Sequence, residues 1–390
     1  MDRDRNYKIA IDVLSDVPGE SGQVNIHRNI LNYLPAFRPN WRFFVLATEY
    51  LKGYYEQYIG SARTNITWLT CWADNHDGFF KRIISQELQV PYLVRKYDID
   101  AFMCYPLPIL TRFQAAKKIN RHTLSLELRG GLRFGYRRFR SKYSILNSDC
   151  TIFNSQTELA YAKTNKMISH RNVVIHEAFD SRIFDRESVD GYTEIVRPSV
   201  KELGATSRNF IYVPTGLTAH KNSRLVLRAY SLLPLSLQEN HTLVFSGTSD
   251  DRYFSSLLQE FKGLFDSRRV VVFNMLTHQE VAYLGSHAQI VIYPSLVETF
   301  GVPPLEMMAL KKPVLLSDLD VLVEISGSGA MIFDRFDHHD LAEKMLYLLN
   351  NEKERIRLGE IGYDHSEKFS WKKNAEETAL LIERELDEDR

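Results

Sequence analysis

Short apolar runs alternate with longer amphipathic stretches along the 390 residues of this chain. In the first half, the runs that predict strands are KIAIDVL (8–14), WRFFVLA (41–47), NITWLT (65–70), AFMCY (101–105), CTIFN (150–154) and NVVIH (172–176). In the second half they are NFIYV (209–213), TLVFSG (242–247), VVVFN (270–274), IVIYP (290–294), PVLLS (313–317) and AMIFD (330–334). Near-continuous runs of β-branched and aromatic residues are typical of parallel strands that helices cover on both faces. The pattern therefore predicts two doubly wound α/β domains.

The two series of strands are separated by a stretch without periodicity, which we interpret as a linker. The predicted division is an amino-terminal Rossmann-like domain over 1–176, a linker over 177–207, a carboxy-terminal Rossmann-like domain over 208–369 and a final helix over 370–390. Another helix is predicted over 80–97, and its apolar residues fall broadly on one face: Ile83, Ile84, Leu88, Pro91, Tyr92 and Leu93.

Composition and cysteine usage indicate a globular protein of a reducing compartment. Hydrophobic residues make up 44% of the chain and charged residues 25%. No apolar run approaches the roughly 18–20 residues of a membrane span, and the charged start MDRDRNYKIAID has no apolar signal segment. Cys71, Cys104 and Cys150 are widely spaced and each lies in or beside an apolar run, which favours buried free thiols over a disulfide or a zinc site. We expect a cytoplasmic protein.

Basic residues are concentrated in the 112–142 region. Between Arg112 and Lys142 ten basic residues accompany one acid, Glu127. The stretch RFGYRRFRSKY (133–143) mixes them with aromatic residues, which suits a peripheral helix on the inner face of a membrane with anionic lipid. It equally suits a site for a lipid diphosphate, or a solvated helix face. Nucleic-acid binding is not expected, because no recognised module accompanies the charge.

Candidate chemistry is concentrated in the segment IVIYPSLVETFGVPPLEMMALKKPVLLS (290–317). A helix is expected to start near Pro303, whose missing N–H suits a first helical turn. Backbone N–H groups in the turn at Gly301, beside the positive end of the helix dipole, can bind a phosphate. Glu298 precedes this turn and Glu306 is expected in the first turn of the helix, so both carboxylates can face one crevice. The alternative is an ordinary strand-to-helix turn with a glutamate that complements the dipole.

The residues ETFGVPPLE resemble the E-x7-E signature of the retaining glycosyltransferase family 4, often called group 1, and the flanking YPS and ALKKPV match that family too. The resemblance implies a GT-B fold, two Rossmann-like doubly wound domains facing a central cleft, with the final helix crossing back to the first domain. It also implies that Glu306 binds the ribose hydroxyls of a nucleotide-sugar donor. Glu298 and the turn Thr299-Phe300-Gly301 would contact the donor sugar and diphosphate. Thr299 stands where glycine is more usual, which narrows the sugar pocket but keeps a backbone N–H.

The segment YVPTGLTAHKNSRLVLRAY (212–230) resembles the phosphate-binding loop G-x-x-x-x-R-K-N of the same family. A lysine between a strand and a helix, here Lys221, can neutralise a diphosphate as a point charge. A solvated loop lysine is the alternative. His220 occupies the usual arginine position, so stabilisation of the leaving group depends more on Lys221, and Arg224 is a candidate second cation. Gly247 matches the glycine that this family places beside the nucleotide base.

Signals in the first domain are weaker. The dinucleotide fingerprint G-x-G-x-x-G is absent from DVPGESGQ (16–23), although the resemblance lets the backbone at Gly22 approach the diphosphate. The family often has a His-Asp pair after a middle strand, and that pair is missing here. His122, Glu127 or Arg129 is the candidate replacement for acceptor contacts.

Together these patterns predict a retaining, metal-independent glycosyltransferase. It would move a hexose or deoxyhexose from a GDP- or UDP-linked donor to a glycan or lipid-linked acceptor, in surface polysaccharide or O-antigen assembly. No cofactor is expected. No metal is expected either, because Lys221 and a helix start supply positive charge. Two alternatives stay open: a nucleotide-sugar epimerase of similar build, and a nucleotide-sugar-binding module without activity. A nicotinamide oxidoreductase is disfavoured by the missing glycine fingerprint.

Overall fold

The computed structural model of the protein forms two compact units. It describes residues 5–18, 22–59, 63–74, 76–104, 116–122, 132–205 and 209–388. Unit 1 comprises Met1–Glu177 together with Trp371–Arg390, and unit 2 comprises Ala178–Ser370. Each unit holds one parallel sheet, and helices connect most of its successive described strands, so the predicted pair of Rossmann-like domains is confirmed.

Within the described residues, unit 1 has a seven-stranded parallel sheet in the order β3-β2-β1-β4-β5-β6-β7. Its strands are β1 (Lys8–Asp12), β2 (Arg42–Ala47), β3 (Ile66–Thr70), β4 (Ala101–Cys104), β5 (Lys117–His122), β6 (Cys150–Phe153) and β7 (Arg171–Val174). Its helices are α1 (Gly22–Phe37), α2 (Glu49–Glu56), α3 (Phe79–Ile84), α4 (Val90–Lys96), α5 (Leu132–Leu146), α6 (Gln156–Thr164) and the final helix (Trp371–Asp387).

Unit 2 has a parallel sheet whose six described strands run in the order β10-β9-β8-β11-β12-β13. These strands are β8 (Asn209–Val213), β9 (His241–Ser246), β10 (Val270–Phe273), β11 (Ile290–Tyr293), β12 (Val314–Ser317) and β13 (Met331–Phe333). The helices are α7 (Arg186–Asp190), α8 (Pro198–Ala205), α9 (Ser223–Ser231), α10 (Leu235–Asn240), α11 (Asp251–Glu260), α12 (Lys262–Asp266), α13 (His278–His287), α14 (Val302–Ala309), α15 (Asp320–Ser326), α16 (His338–Asn350) and α17 (Glu352–Ser366). Chain order reverses between β1 and β4 in unit 1 and between β8 and β11 in unit 2. We call each reversal a switch point, and doubly wound sheets bind ligands there.

The sequence pattern does not predict β5. This strand, KKINRH, contains a single apolar residue, Ile119, which is buried together with Asn120. Parallel pairing with β4 on one side and β6 on the other holds it in the sheet. Backbone hydrogen bonding to two neighbours therefore places a polar segment where hydrophobic periodicity gives no signal.

The stretch interpreted as a linker, 177–207, differs from that interpretation because its residues 178–205 are folded into unit 2. Helices α7 and α8 lie within it and both pack against α13. The side chain of Asp185 caps α7 by accepting a hydrogen bond from the backbone N–H of Ser188. The guanidinium Nε of Arg197 lies 2.5 Å from Oε1 of Glu280 on α13. Helices of this length are too short to show a helical period in the sequence.

The final helix packs against α1 and so completes unit 1. The guanidinium of Arg38 donates two hydrogen bonds to the carboxylate of Glu383, at 2.9 and 3.0 Å. Nδ2 of Asn374 donates to the backbone carbonyl of His176 at 2.6 Å. Unit 1 is therefore built from two pieces of chain that are distant in sequence.

The helix predicted over 80–97 is present, but its apolar residues do not share a buried face. It consists of α3 and α4 joined by a π-helical segment, Ser85–Gln89. A π turn takes more residues than an α turn, which shifts the phase of the side chains that follow. Two of the predicted apolar residues are buried and three are exposed: Pro91 and Leu93 against Ile84, Leu88 and Tyr92.

The cysteines are buried free thiols, as predicted. Burial raises the pKa of the Cys150 thiol to about 12, so this group stays protonated and inert in water near neutral pH. None of the helices that the structure describes is both long enough and apolar enough to cross a bilayer.

Candidate active site

At the switch point of unit 2, Lys221 and Glu298 form an ion pair. Lys221 ends a short 3₁₀ turn between β8 and α9, and Glu298 lies in the loop between β11 and α14. Nζ of Lys221 lies 2.5 Å from Oε1 of Glu298 and 3.2 Å from the hydroxyl oxygen of Tyr293. The Tyr293 hydroxyl donates to the same Glu298 oxygen at 2.9 Å. The three groups therefore form a closed triangle.

The ion pair is only partly accessible, since 23% of the Lys221 side chain and 13% of the Glu298 side chain are exposed. Burial alone would lower the pKa of Lys221. The charges of Tyr293 and Glu298 and their hydrogen bonds outweigh that effect and raise this pKa. Lys221 is therefore a permanent cation over the whole range of physiological pH, held where a diphosphate could reach it.

Backbone contacts fix the loops that carry Lys221 and Glu298. The carbonyl of His220 accepts a hydrogen bond from the N–H of Leu296 at 2.9 Å, which joins the two loops, while the residue itself is exposed. Asn222 has a left-handed backbone with φ 54°. Its Nδ2 donates to the carbonyl of Arg335 at 2.8 Å, so it does not cap α9 with its side chain. Lys221 thus sits between two residues whose backbone geometry is fixed.

Arg224 does not supply the second cation that the sequence suggested. Its Nε lies 2.9 Å from Oε2 of Glu260, and its Nη2 donates to Oγ of Ser256 at 2.9 Å. Both partners belong to α11, so the guanidinium is committed to a helix contact and does not join Lys221.

Two glycines bring the loops after β8 and β9 into direct backbone contact. Gly247 has φ 131°, and a Cβ built on it would lie 2.8 Å from the nitrogen of Gly216. A Cβ on Gly216 would lie 1.7 Å from the carbonyl oxygen of Thr248. Gly247 was predicted at this site, whereas Gly216 was not, because its role depends on the tertiary contact with Thr248.

In the turn Thr299-Phe300-Gly301, the backbone of the last two residues is better placed to contact a ligand than their side chains. Phe300 is buried, and its ring centroid lies 6.1 Å from that of Phe369, so the ring belongs to the core of unit 2. Gly301 caps α14 with φ 107°, where a Cβ would meet the Leu322 side chain at 2.6 Å. Only the main chain of Phe300 and Gly301 is therefore suited to contact a ligand.

Helix α14 begins at Val302, and Pro303 and Pro304 follow in its first turn, as predicted. Because neither proline has an N–H, the donors left at this helix start are those of Gly301 and Val302. Glu306 was expected in the first turn but lies in the second, because the helix begins before the prolines.

Glu306 is buried in unit 2, and its charge acts on Tyr212 of β8. Burial raises the pKa of the Tyr212 hydroxyl, a 2.6 Å hydrogen bond with Oγ of Ser246 lowers it, and the negative charge of Glu306 raises it further. Glu306 therefore lies within electrostatic range of Tyr212, while Glu298 contacts Lys221 and Tyr293.

Among its described residues, the switch point of unit 1 carries two buried acids, Asp12 and Asp16, instead of a partly exposed lysine paired with a glutamate. Oδ1 of Asp12 accepts from the N–H of Leu14 at 2.8 Å, and its Oδ2 accepts from Nε2 of Gln86 at 3.0 Å. Burial raises the pKa of Asp12 to about 6. In the loop between β1 and α1, Oδ2 of Asp16 lies 2.7 Å from Nδ1 of His27.

The remaining predicted residues of unit 1 are only partly described. Gly22 is the first residue of α1. His122 ends β5, and its side chain lies outside the described residues, as do Glu127 and Arg129 altogether. Among the residues that the structure does describe, no group of three metal-ligating side chains comes together.

Two Rossmann-like units whose first six strands run in the same order are the architecture of the GT-B class of protein fold. Solved structures agree: sucrose-phosphate synthase from Thermosynechococcus elongatus has a TM-score of 0.74 at 16% identity, over 97% of this chain and 99% of that one. Anabaena HepE in complex with UDP and glucose has a TM-score of 0.71 at 15% identity, over 97% and 100%. At such identities the likeness shows the fold alone. Residues 198–365 match the model of the glycosyl transferases group 1 family.

Two sequence relatives each match less than half of this chain. The Escherichia coli serotype-specific mannosyltransferase WbdA is 29% identical over 178 residues, which are 45% of this chain and 22% of WbdA. The Escherichia coli O-antigen chain mannosyltransferase B is 28% identical over 163 residues, 41% of this chain and 42% of that protein. The chain thus spans less than half the length of these relatives.

Proposed function

We propose that the chain is a retaining glycosyltransferase that moves a hexose or deoxyhexose from a GDP- or UDP-linked donor to a glycan or lipid-linked acceptor. The observation that carries the proposal is the ion pair of Lys221 and Glu298 at the switch point of unit 2. The match of residues 198–365 to the group 1 family model supports it. The names of the relatives make mannose the first sugar to test and O-antigen or surface polysaccharide assembly the process. UDP bound in HepE supports a nucleotide donor.

The chemistry of transfer needs stabilisation of the departing diphosphate. The bond between the anomeric carbon and the phosphate oxygen breaks through an oxocarbenium-like state, and negative charge collects on the diphosphate. In this proposal the ammonium of Lys221 and the N–H groups of Gly301 and Val302 receive that charge. Lys221 is already charged and positioned by Tyr293, so little reorganisation is needed at the moment of reaction.

Retention follows if the acceptor attacks from the face that the diphosphate leaves. The acceptor oxygen then bonds to the anomeric carbon, its proton passes to the departing phosphate oxygen, and the products are a glycoside and a nucleoside diphosphate. Glu306 would hold the ribose hydroxyls and Glu298 the donor sugar. Lys221 supplies charge without a metal or cofactor, so we expect activity to persist in EDTA. We place the reaction in the cytoplasm, at the inner face of the cell membrane.

A panel of GDP- and UDP-sugars tests donor binding. The donor should raise the thermal midpoint, because binding to the native state stabilises it. Glu306→Gln should abolish the shift, while the exposed control Glu343→Gln should keep it. A full shift in Glu306→Gln would remove Glu306 from the donor site.

Nucleotide release separates the three candidate activities. A glycosyltransferase releases the diphosphate faster when a glycan acceptor is added. An epimerase converts the sugar of the donor with no acceptor present, and an inactive module binds the donor but does neither. Proton NMR of the new glycosidic bond then tests retention, since inversion would contradict that part of the proposal.

A further inference from the structure

The α3–α4 helix of unit 1 has an inverted distribution of side chains. From Phe79 to Gln89, every buried residue is polar: Arg82, Ser85, Gln86, Glu87 and Gln89. The exposed residues along the whole helix include four large apolar side chains, Phe80, Ile84, Leu88 and Tyr92, which are 53% to 79% exposed. Exposing such side chains to water is unfavourable, so a contiguous set of them marks an interaction surface.

These four residues form one continuous stripe, which we call the outer face. They are spaced four residues apart over about 18 Å of helix, and the π-helical segment Ser85–Gln89 keeps them on one side because its turns are wider. Trp72 lies beside this helix: it is 67% exposed, and its backbone N–H donates to Oε1 of Gln89 at 2.7 Å.

The other exposed residues of the helix are all basic. They are Lys81, Arg95 and Lys96, and the one acid of the helix, Glu87, is buried 3.6 Å from Nη2 of Arg140. The outer face thus combines apolar side chains with positive charge and no exposed carboxylate on the helix. That combination suits a surface with an apolar interior and an anionic border.

Helix α5 is attached to this helix and repeats the pattern. Its Arg140 reaches Glu87 and also donates to Oε1 of Gln86 at 3.4 Å, so this arginine of the basic 112–142 region is buried and unavailable to a membrane. In the part of α5 whose side chains are described, Phe139, Lys142 and Leu146 are exposed. They fall three and four residues apart and therefore share one side of the helix.

We propose that the outer face of α3–α4 docks on an anionic lipid bilayer, with the apolar stripe inserted at the boundary between headgroups and acyl chains. A second copy of the chain is a poorer occupant, because a symmetric contact would bring Lys81, Arg95 and Lys96 against the same cations. Trp72 and Tyr92 are the side chains that membrane interfaces favour. The proposal does not depend on the identity of the sugar donor.

Vesicle flotation of the full chain tests the proposal without any activity assay. The vesicles are phosphatidylcholine alone, or phosphatidylcholine with about a third of the lipid replaced by phosphatidylglycerol. We expect the protein to float with the anionic vesicles and to bind neutral ones about tenfold more weakly. Phe80→Ser with Leu88→Ser should lower binding to anionic vesicles at least about tenfold, because the inserted apolar area is lost.

Matched controls keep the result specific. Leu235→Ser with Ile356→Ser changes apolar residues of unit 2 that are 57% and 59% exposed, and should leave binding unchanged. Lys81→Gln with Lys96→Gln should lower binding to anionic vesicles only. Absence of wild-type binding to anionic vesicles, or full binding by the Phe80/Leu88 variant, overturns the proposal. If that variant instead loses only self-association in sedimentation velocity, the face belongs to a protein contact and the proposal is equally overturned.

Discussion

The two switch points of this molecule have the same strand topology and opposite electrostatics. In unit 2, Lys221 is partly exposed, permanently charged and tied to Glu298 and Tyr293. In unit 1, Asp12 is buried with a raised pKa and is hydrogen-bonded by Gln86. A repeated fold therefore does not repeat its site: unit 2 is suited to an anion, and the acid of unit 1 is not.

The largest effect is expected from removing the cation of unit 2. Lys221→Ala should lower the rate of sugar transfer about a thousandfold, because the diphosphate loses its fixed positive charge. The measurement is nucleotide release at saturating donor, with circular dichroism to check folding. Lys262→Ala, on exposed α12, is the control.

The double variant Lys221→Ala with Glu298→Gln separates charge loss from a misplaced carboxylate. If the single variant fails only because Glu298 is left without a counter-ion, the second substitution restores the rate. Recovery to the wild-type rate would contradict the role of Lys221 as the leaving-group cation.

The next effect concerns the loops that shape the edge of the unit 2 sheet. Gly216→Ala should lower the free energy of unfolding by about 3 kcal/mol, because its Cβ would overlap the carbonyl of Thr248. Urea denaturation measures this. Gly263→Ala is the matched control, since nothing lies within 4 Å of its Cβ, and this helical substitution should be neutral or stabilising.

The acid of unit 1 predicts a pH dependence. The pKa of Asp12 rises from an ordinary 3.8 to about 6 on folding, so the folded state holds this proton more tightly than the unfolded state. The free energy of unfolding of the wild type, relative to Asp12→Asn, should therefore rise as the pH falls from 7 to 4. The total is at most about 3 kcal/mol. Parallel urea titrations measure it, with the exposed Asp251→Asn as control, and a difference that stays flat with pH would refute the assignment.

The smallest effect should come from Tyr293→Phe. The hydroxyl lies between Lys221 and Glu298 and orients both, but the ion pair persists without it. We expect the transfer rate to fall about tenfold with little change in donor affinity, consistent with a lost hydrogen bond to charged groups. Steady-state kinetics would show it, with Tyr347→Phe as the control, because Tyr347 is an exposed tyrosine of α16. If the transfer rate fell equally in both variants, Tyr293 would have no role in positioning Lys221 and Glu298.

The fold was largely accessible from the sequence because buried parallel strands have an apolar signature. Strand β8 was predicted with its observed ends, whereas β5 was missed because its polar sequence is held by pairing on both sides. In the site, Lys221 and Glu298 could be named from their spacing and family resemblance. Tyr293 and Gly216 could not, because their importance arises from tertiary contacts: a hydroxyl that meets the ion pair, and a Cα that meets the loop after β9.

The final helix gives this chain an unusual order of assembly. Unit 2 is continuous in sequence, whereas unit 1 lacks the piece Trp371–Arg390 until residues after Ser370 have been translated. Domains ordinarily fold from the amino terminus during synthesis. Here the first unit keeps the α1 surface uncovered until the final helix has been made, so its last folding step must follow synthesis of unit 2.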